Sequence, residues 1–89
     1  MLLVVYDIKT EDVIVRLRSK AQEYGEINQI LPNAFLLDTT GDTEIIGKEL
    51  QNIVSQNGRM MVARIWRNEI NGWLGTESVD WINSKSFDR

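Results

Sequence analysis

The sequence contains no cysteine and no histidine among its 89 residues. Without cysteine, a disulfide framework, a thiolate zinc site and a cysteine nucleophile are all excluded. Without histidine, serine–histidine triads, imidazole metal ligands and the usual general base near pH 7 are excluded as well. Any metal site in this chain would therefore depend on carboxylate or carbonyl oxygens, which suit magnesium, manganese or calcium.

A surplus of basic residues is also lacking, since 13 acidic residues outweigh 10 basic ones and give a net charge of −3. A broad nucleic-acid-binding face normally shows as an excess of lysine and arginine. The longest apolar run, Met1–Tyr6, is far shorter than the ~20 residues that span a bilayer. No basic residue precedes that run, as one would in a secretory signal. We therefore expect a cytoplasmic protein without membrane contact, whose partner is a protein rather than a nucleic acid.

What the sequence does contain is a succession of strand and helix patterns. Aliphatic, aromatic and β-branched residues over 1–8 predict a strand. Apolar residues at helical spacing over 10–24 predict an amphipathic helix. Later patterns, in chain order, predict strands over 27–31 and 34–39, a helix capped at Asp42 or Thr43 and ended by Asn57-Gly58, a strand over 60–67, a tight turn at Asn71-Gly72, and a short helix capped by Thr76.

This β-α-β-β-α-β order is typical of the ferredoxin-like α+β fold, in which two helices cover one face of a four-stranded antiparallel sheet. We assign residues 1–83, including the short C-terminal helix, to a single domain. Residues 84–89 are polar, and we predict that they form a flexible tail.

The first strand is central in that topology, yet its side chains are apolar on both faces, so the second face of the sheet needs a cover. The favoured cover is a second copy of the chain, packed sheet to sheet with Val5, Trp73 and Trp81 at the interface. The alternative is that the C-terminal segment with Trp73 and Trp81 folds back over that face. The prediction is therefore a homodimer, with self-covering as the alternative.

Several stretches, taken together over nearly the whole chain, resemble one family. They are Tyr6-Asp7 after the first strand, Tyr24-Gly25 after the first helix, Ile-Leu-Pro-Asn-Ala-Phe-Leu-Leu over 30–37, Gly72-Trp73-Leu74, and Val79-Asp80-Trp81-Ile82. The chain resembles the SinR-like branch of small proteins similar to the CRISPR-associated adaptation subunit, the non-catalytic partner of the integrase. The resemblance implies a ferredoxin-like fold, a dimer and a divalent-metal role for Asp7. Where that family carries basic residues, this chain has Ile-Lys-Thr-Glu-Asp after Asp7, which favours a non-enzymatic role.

Asp7 is the candidate catalytic and metal-binding residue. If the first strand lies near a two-fold axis, Asp7 and its copy would share a Mg²⁺ ion that activates water against a phosphodiester. Glu11 and Asp12 lie within one helical turn and would assist. The alternative is that Asp7 simply ends the strand and accepts hydrogen bonds from the start of the helix.

The best cluster of basic and aromatic residues is Arg59, Arg64 and Arg67 with Trp66. Within it, Arg64, Trp66 and Arg67 are the candidate contact for nucleic acid or a partner. Arg64 and Trp66 are predicted to share one face of the fourth strand, with Arg67 on the other. Such a pairing stacks bases and holds phosphate. The alternative is that the arginine stems cover apolar neighbours on the sheet surface.

We interpret the sequence as a dimeric, non-enzymatic binding or regulatory module without a cofactor. It would act through its dimer surface or through an added strand at a sheet edge. This class includes defence-related proteins and the small acidic phage inhibitors that occlude a nucleic-acid site. The alternative function is a Mg²⁺-dependent endonuclease of RNA or DNA that uses Asp7 paired across a dimer axis.

Overall fold

In the computed structural model, which describes residues 1–89, four strands and three helices form the ferredoxin-like α+β fold predicted from the sequence. The elements are β1 (Leu2–Ile8), α1 (Glu11–Gln22), β2 (Ile27–Leu31), β3 (Ala34–Leu37), α2 (Thr43–Val54), β4 (Gly58–Arg64) and α3 (Thr76–Asn83), with short 3₁₀ turns at Ser55–Asn57 and Arg67–Glu69. All neighbouring strands are antiparallel, in the order β2-β3-β1-β4. The apolar strand β1 is therefore central.

Capping explains where α2 begins. The Asp42 carboxylate accepts hydrogen bonds from the backbone N–H groups of Glu44, at 2.8 Å, and Ile45, at 3.1 Å. These donors have no partner within the helix, so an acidic N-cap stabilises the first turn. Thr10 precedes α1 in an extended conformation, but its side chain makes no such bond.

Two sequence predictions after the second helix were wrong. β4 ends at Arg64 rather than at residue 67, because its last hydrogen bond joins the Ile65 N–H to the Met1 carbonyl at 3.0 Å and the chain then turns into Arg67–Glu69. The tight turn expected at Asn71-Gly72 is absent, and residues 70–75 are irregular. The segment after β4 is therefore a long loop that leads to α3.

The main core lies between one face of the sheet and the helices α1 and α2. Its twelve buried residues are Leu2, Val4, Tyr6 and Ile8 of β1, Phe35 and Leu37 of β3, Val13, Leu17 and Ala21 of α1, and Ile46, Leu50 and Val54 of α2. Successive strand side chains point to opposite faces, so alternate residues of β1 enter this layer. The other residues of β1 belong to the second face of the sheet.

The second face is covered in part by α3 and the residues after it. Ile82 and Phe87 pack on Met1 and Leu36, and all four side chains are at most 8% exposed. Trp81 packs against this cluster. Of the two covers considered from the sequence, the C-terminal segment occupies this part of the face. The homodimer stays a prediction.

Residues 84–89, predicted to be flexible, make specific contacts in the structure. The Phe87 carbonyl accepts a hydrogen bond from the Arg67 N–H at 3.1 Å. The Arg89 N–H donates to the Asn68 side-chain oxygen at 3.1 Å. Phe87 itself is buried, so one aromatic side chain anchors an otherwise polar segment. None of the helices has the length and apolar character needed to cross a membrane.

Candidate functional site

An open groove of about 470 Å³ lies on the second face of the sheet, bounded by α3 and the loop after β4. Its lining is mostly apolar: Leu3, Ile30, Leu36, Ile65, Ile70, Leu74, Val79 and Ile82. The polar side chains among the lining residues are Arg67, Asn71 and Asn83. An apolar concavity with a few polar groups is the usual form of a binding site, and this one suits apolar side chains.

Trp73 stands in the loop beside this groove and is 98% exposed. Its neighbours Gly72 and Leu74 both line the groove. Ile70 and Val79, also in the lining, are 39% and 40% exposed. A tryptophan in full contact with solvent adds nothing to the core, whereas tryptophan is strongly enriched at binding hot spots. Trp73, predicted as an interface residue, is thus presented with its whole surface available to a partner.

Val5 and Trp81, the other predicted interface residues, lie elsewhere. Val5 is half-buried in β1, opposite Met61 of β4. Trp81 is half-buried against the C-terminal cluster, with the Lys85 ammonium 5.1 Å from its ring centre. Neither residue lines the groove, and as interface residues Val5, Trp73 and Trp81 stay predictions.

Lys85 fastens the end of α3 to the sheet. Its ammonium pairs with Glu26, just before β2, and lies 3.8 Å from the carboxylate of Asp38, just after β3. The hydrogen bond to Glu26 raises the pKa of Lys85 above its ordinary value, because it favours the charged ammonium. The contact holds one wall of the groove, α3, in place.

Asp7 lies on the second face near the end of β1, and its side chain is largely exposed. Its carboxylate pairs with the Lys9 ammonium at 3.3 Å. Asp7, Glu11 and Asp12 do not form a group of three acidic side chains able to hold a metal ion. Asp7 is thus an exposed carboxylate with a basic neighbour, and its proposed roles in catalysis and magnesium binding stay predictions.

Arg64 is engaged within the chain. It shares the helix-facing side of β4 with Met60 and Val62, and its guanidinium donates hydrogen bonds to the carbonyl of Thr39, at 2.9 Å, and to that of Gly41. These carbonyls belong to the loop between β3 and α2. Arg64 therefore holds that loop in place, because its planar guanidinium donates to both carbonyl oxygens at once.

Replacing Arg64 by lysine is expected to lower the free energy of unfolding by about 1–2 kcal/mol, since an ammonium has its donors on one nitrogen and does not match the planar fork, and hydrogen bonds to charged groups are the stronger ones. Urea unfolding monitored by circular dichroism measures this change. Arg59→Lys on the same strand is the control, because the Arg59 side chain has no bonded partner in the structure. Equal stabilities of the two variants would contradict this role of Arg64.

Trp66 and Arg67 lie beyond the end of β4, so the alternation expected to place Arg64 with Trp66 on one strand face does not occur. Arg67 pairs with the Asp88 carboxylate at 3.3 Å. The candidate contact of Arg64, Trp66 and Arg67 is thus divided: Arg64 holds backbone carbonyls, and Arg67 is balanced by an acid of the tail. As nucleic-acid or partner contacts, these three residues stay predictions.

Sequence reasoning did not identify most of the groove. Ile70, Leu74 and Val79 come from an irregular loop and a short helix, where no repeating pattern indicates which apolar residues share a surface. The one available signal was the density of bulky apolar residues between β4 and the chain's last residues, which includes all three tryptophans.

No protein-family model, curated protein or solved structure matches this chain. The functional assignment accordingly depends on the residues and geometry of the chain itself. Among its surfaces, the groove beside Trp73 combines apolar lining, concave shape and an exposed aromatic side chain.

Proposed function

We propose that this protein is a non-enzymatic binding module that takes an apolar segment of a partner protein into the groove beside Trp73. The observation that carries the proposal is the 98% exposure of Trp73 at the edge of an apolar groove. Exposed apolar surface of this kind is costly to leave in water and marks interaction sites. Binding of a partner would bury the indole together with Ile70 and Val79.

The chemistry of the partner segment follows from the charge of the lining. Arg67 is its one charged residue, and Asp88 balances that charge. A segment that fits therefore carries bulky apolar side chains and needs no charge of either sign at the groove. Such anchors, inserted in a desolvated pocket, dominate the affinity of most protein interfaces.

A protein partner is favoured over nucleic acid because both arginines of the predicted contact are engaged within the chain. Arg64 is bound to carbonyls and Arg67 to Asp88, while the chain as a whole carries a charge of −3. Phosphate binding depends on unengaged lysine and arginine side chains. The resemblance to SinR-like proteins supports a defence-related setting, either as a host component or as a phage inhibitor.

Trp73→Ala is expected to weaken binding of an apolar peptide at least ten-fold, since truncation of a tryptophan hot spot costs more than about 1.4 kcal/mol. The probe is a phage-displayed library of random 15-residue peptides, selected on the wild-type protein. The best peptide is then titrated against both proteins by calorimetry. Selected sequences are expected to share bulky apolar residues.

Val15→Ala is the matched control, because Val15 is also an exposed apolar residue, at 52%, but lies on α1 in the opposite layer. Its peptide affinity is expected to equal that of the wild type. Peptides that bind Trp73→Ala as tightly as wild type would refute the proposal. So would tight binding of a mixed RNA and DNA pool that falls steeply as salt rises, since that is the signature of phosphate recognition.

A further inference from the structure

The two edge strands of the sheet differ in length and in the regularity of their pairing. β2 at one edge has five residues, and its pairing with β3 is irregular between Gln29 and Leu31. Pro32 follows it, and α3 packs against it, with the Ser78 hydroxyl donating to the Asn28 side chain at 2.8 Å. Short length, irregular pairing and cover are the usual means of keeping an edge strand from pairing with another chain.

β4 at the other edge is neither short nor irregularly paired, although α2 packs against it. Its seven residues pair with β1 in an unbroken register from Gly58 to Arg64, without proline. The Ile65 N–H bonds to β1, so by the alternation of an antiparallel ladder the peptide groups of Met60, Val62 and Arg64 point away from β1, to the free edge. A regular strand with free peptide groups is a template for a further strand.

A shallow groove of about 320 Å³ follows this edge between β4 and α2, and Gly47 of α2 lines it together with Met60 and Val62. Glycine is a poor residue for the interior of a helix. Packing within the chain does not require it, because a Cβ atom at Gly47 would meet no atom within 4 Å. The absence of a side chain leaves the space beside the free edge open for another backbone.

We propose that β4 pairs antiparallel with β4 of a second copy, about a two-fold axis perpendicular to the sheet, to give a continuous eight-stranded sheet. This axis puts the same face of both sheets on one side of the joined sheet. Two residues that pair across the edge must therefore belong to the same face of their strands. With the axis at Met61, Met60 faces Val62 of the second copy and Arg59 faces its Ala63. No arginine faces an arginine, so this register has no like-charge pair.

A second copy fits this edge better than an unrelated strand because β4 is suited to pairing with itself. Residues 60–63 are apolar and lie between Arg59 and Arg64, so with the axis at Met61 residues 60–62 of the two copies face each other, apolar on apolar. On the rim of this shallow groove beside α2, Glu44 and Lys48 form an ion pair at 3.3 Å. Because their charges cancel, the acidic chain does not repel its copy there. This surface shares no residue with the groove beside Trp73, and the inference goes beyond the proposed function.

The first test is the mass in solution by light scattering over a concentration series. The wild type is expected to reach twice the 10.3 kDa of the chain. Gly47→Gln is expected to stay at 10.3 kDa, because a long side chain there fills the space that the second strand needs. Its thermal midpoint, measured at high dilution, is expected to be no lower than that of the wild type, since glutamine is the better helix former.

Amide hydrogen exchange on the wild type gives a second readout that needs no variant. The amides of Met60 and Val62 have no acceptor in a single copy, so strong protection of both is expected only when the edges pair. Ser19→Gln, on the solvent side of α1, is the control and is expected to form the same dimer. A mass of 10.3 kDa throughout the series, or a dimer in which these two amides exchange freely, would overturn the inference.

Discussion

Replacing Phe87 by alanine is expected to lower the free energy of unfolding by about 3 kcal/mol, a loss typical of truncating a buried phenylalanine. Phe87 is 6% exposed and packs in one cluster with Met1, Leu36 and Ile82. Its removal would leave a cavity on the second face of the sheet and weaken the hold on the tail. A domain of this size has about 5–13 kcal/mol of stability in total, so the loss is a large share.

Thermal unfolding followed by circular dichroism would show the effect as a fall of about 15 °C in the midpoint. Ser86→Ala is the matched control, since Ser86 is the exposed neighbour of Phe87 and its truncation is expected to change stability by less than about 0.5 kcal/mol. If Phe87→Ala unfolded at the same temperature as Ser86→Ala, the tail would not be part of the folded core.

Gly25→Ala is expected to destabilise the fold by about 2–3 kcal/mol, the range of overpacking in a site that cannot relax. A Cβ at Gly25 would lie closer than 3.0 Å to the backbone carbonyl oxygen of Asp38. That part of the backbone is held by the bond from the Asp38 N–H to the Glu26 carbonyl at 2.8 Å. The added methyl group must therefore force apart the start of β2 and the end of β3.

Gly72→Ala offers the comparison, because a Cβ at Gly72 meets no atom within 4 Å and its φ angle is one that alanine adopts. Chemical denaturation of the two variants measures the difference in the free energy of unfolding. We expect Gly72→Ala to match the wild type. A Gly25→Ala variant as stable as Gly72→Ala would show that the backbone at Asp38 yields freely.

Local pattern was sufficient to predict the fold. The apolar side chains on both faces of β1 predicted a buried strand, and the Asp42 cap marked the start of α2. These features are set by neighbours in sequence, which is why a single chain reveals them. The position of β1 between β3 and β4 then followed from the order of the elements.

The candidate site was only partly predictable, since it depends on contacts between distant segments. Trp73 is exposed to solvent, whereas Trp81 packs against the sheet. The path of an irregular loop decides this difference, and such a loop has no repeating sequence pattern that would predict it. Arg64 had the appearance of a surface cation, but two carbonyls 25 and 23 residues away engage it. Nothing local indicates such partners.

Pairing of two β4 edges has a direct bearing on Asp7. With strands ~4.8 Å apart and residues ~3.3 Å apart along each strand, the two Asp7 residues would lie about 20 Å from each other across the axis. One ion cannot bridge that gap, because its ligands lie within about 2–3 Å. A dimer of this form and a metal shared between Asp7 residues are therefore mutually exclusive.

The groove beside Trp73 opens on the face of the sheet that α1 and α2 leave free. In a pair of chains related by an axis perpendicular to the sheet, both grooves face the same direction. The pair is then bivalent toward one target. After one segment of that target has bound, the second groove meets the next at a local concentration in the millimolar range, if the linker between them is short and flexible. With a modest affinity at each groove, a target that carries two such segments stays bound for a long time. A target that carries a single segment dissociates quickly.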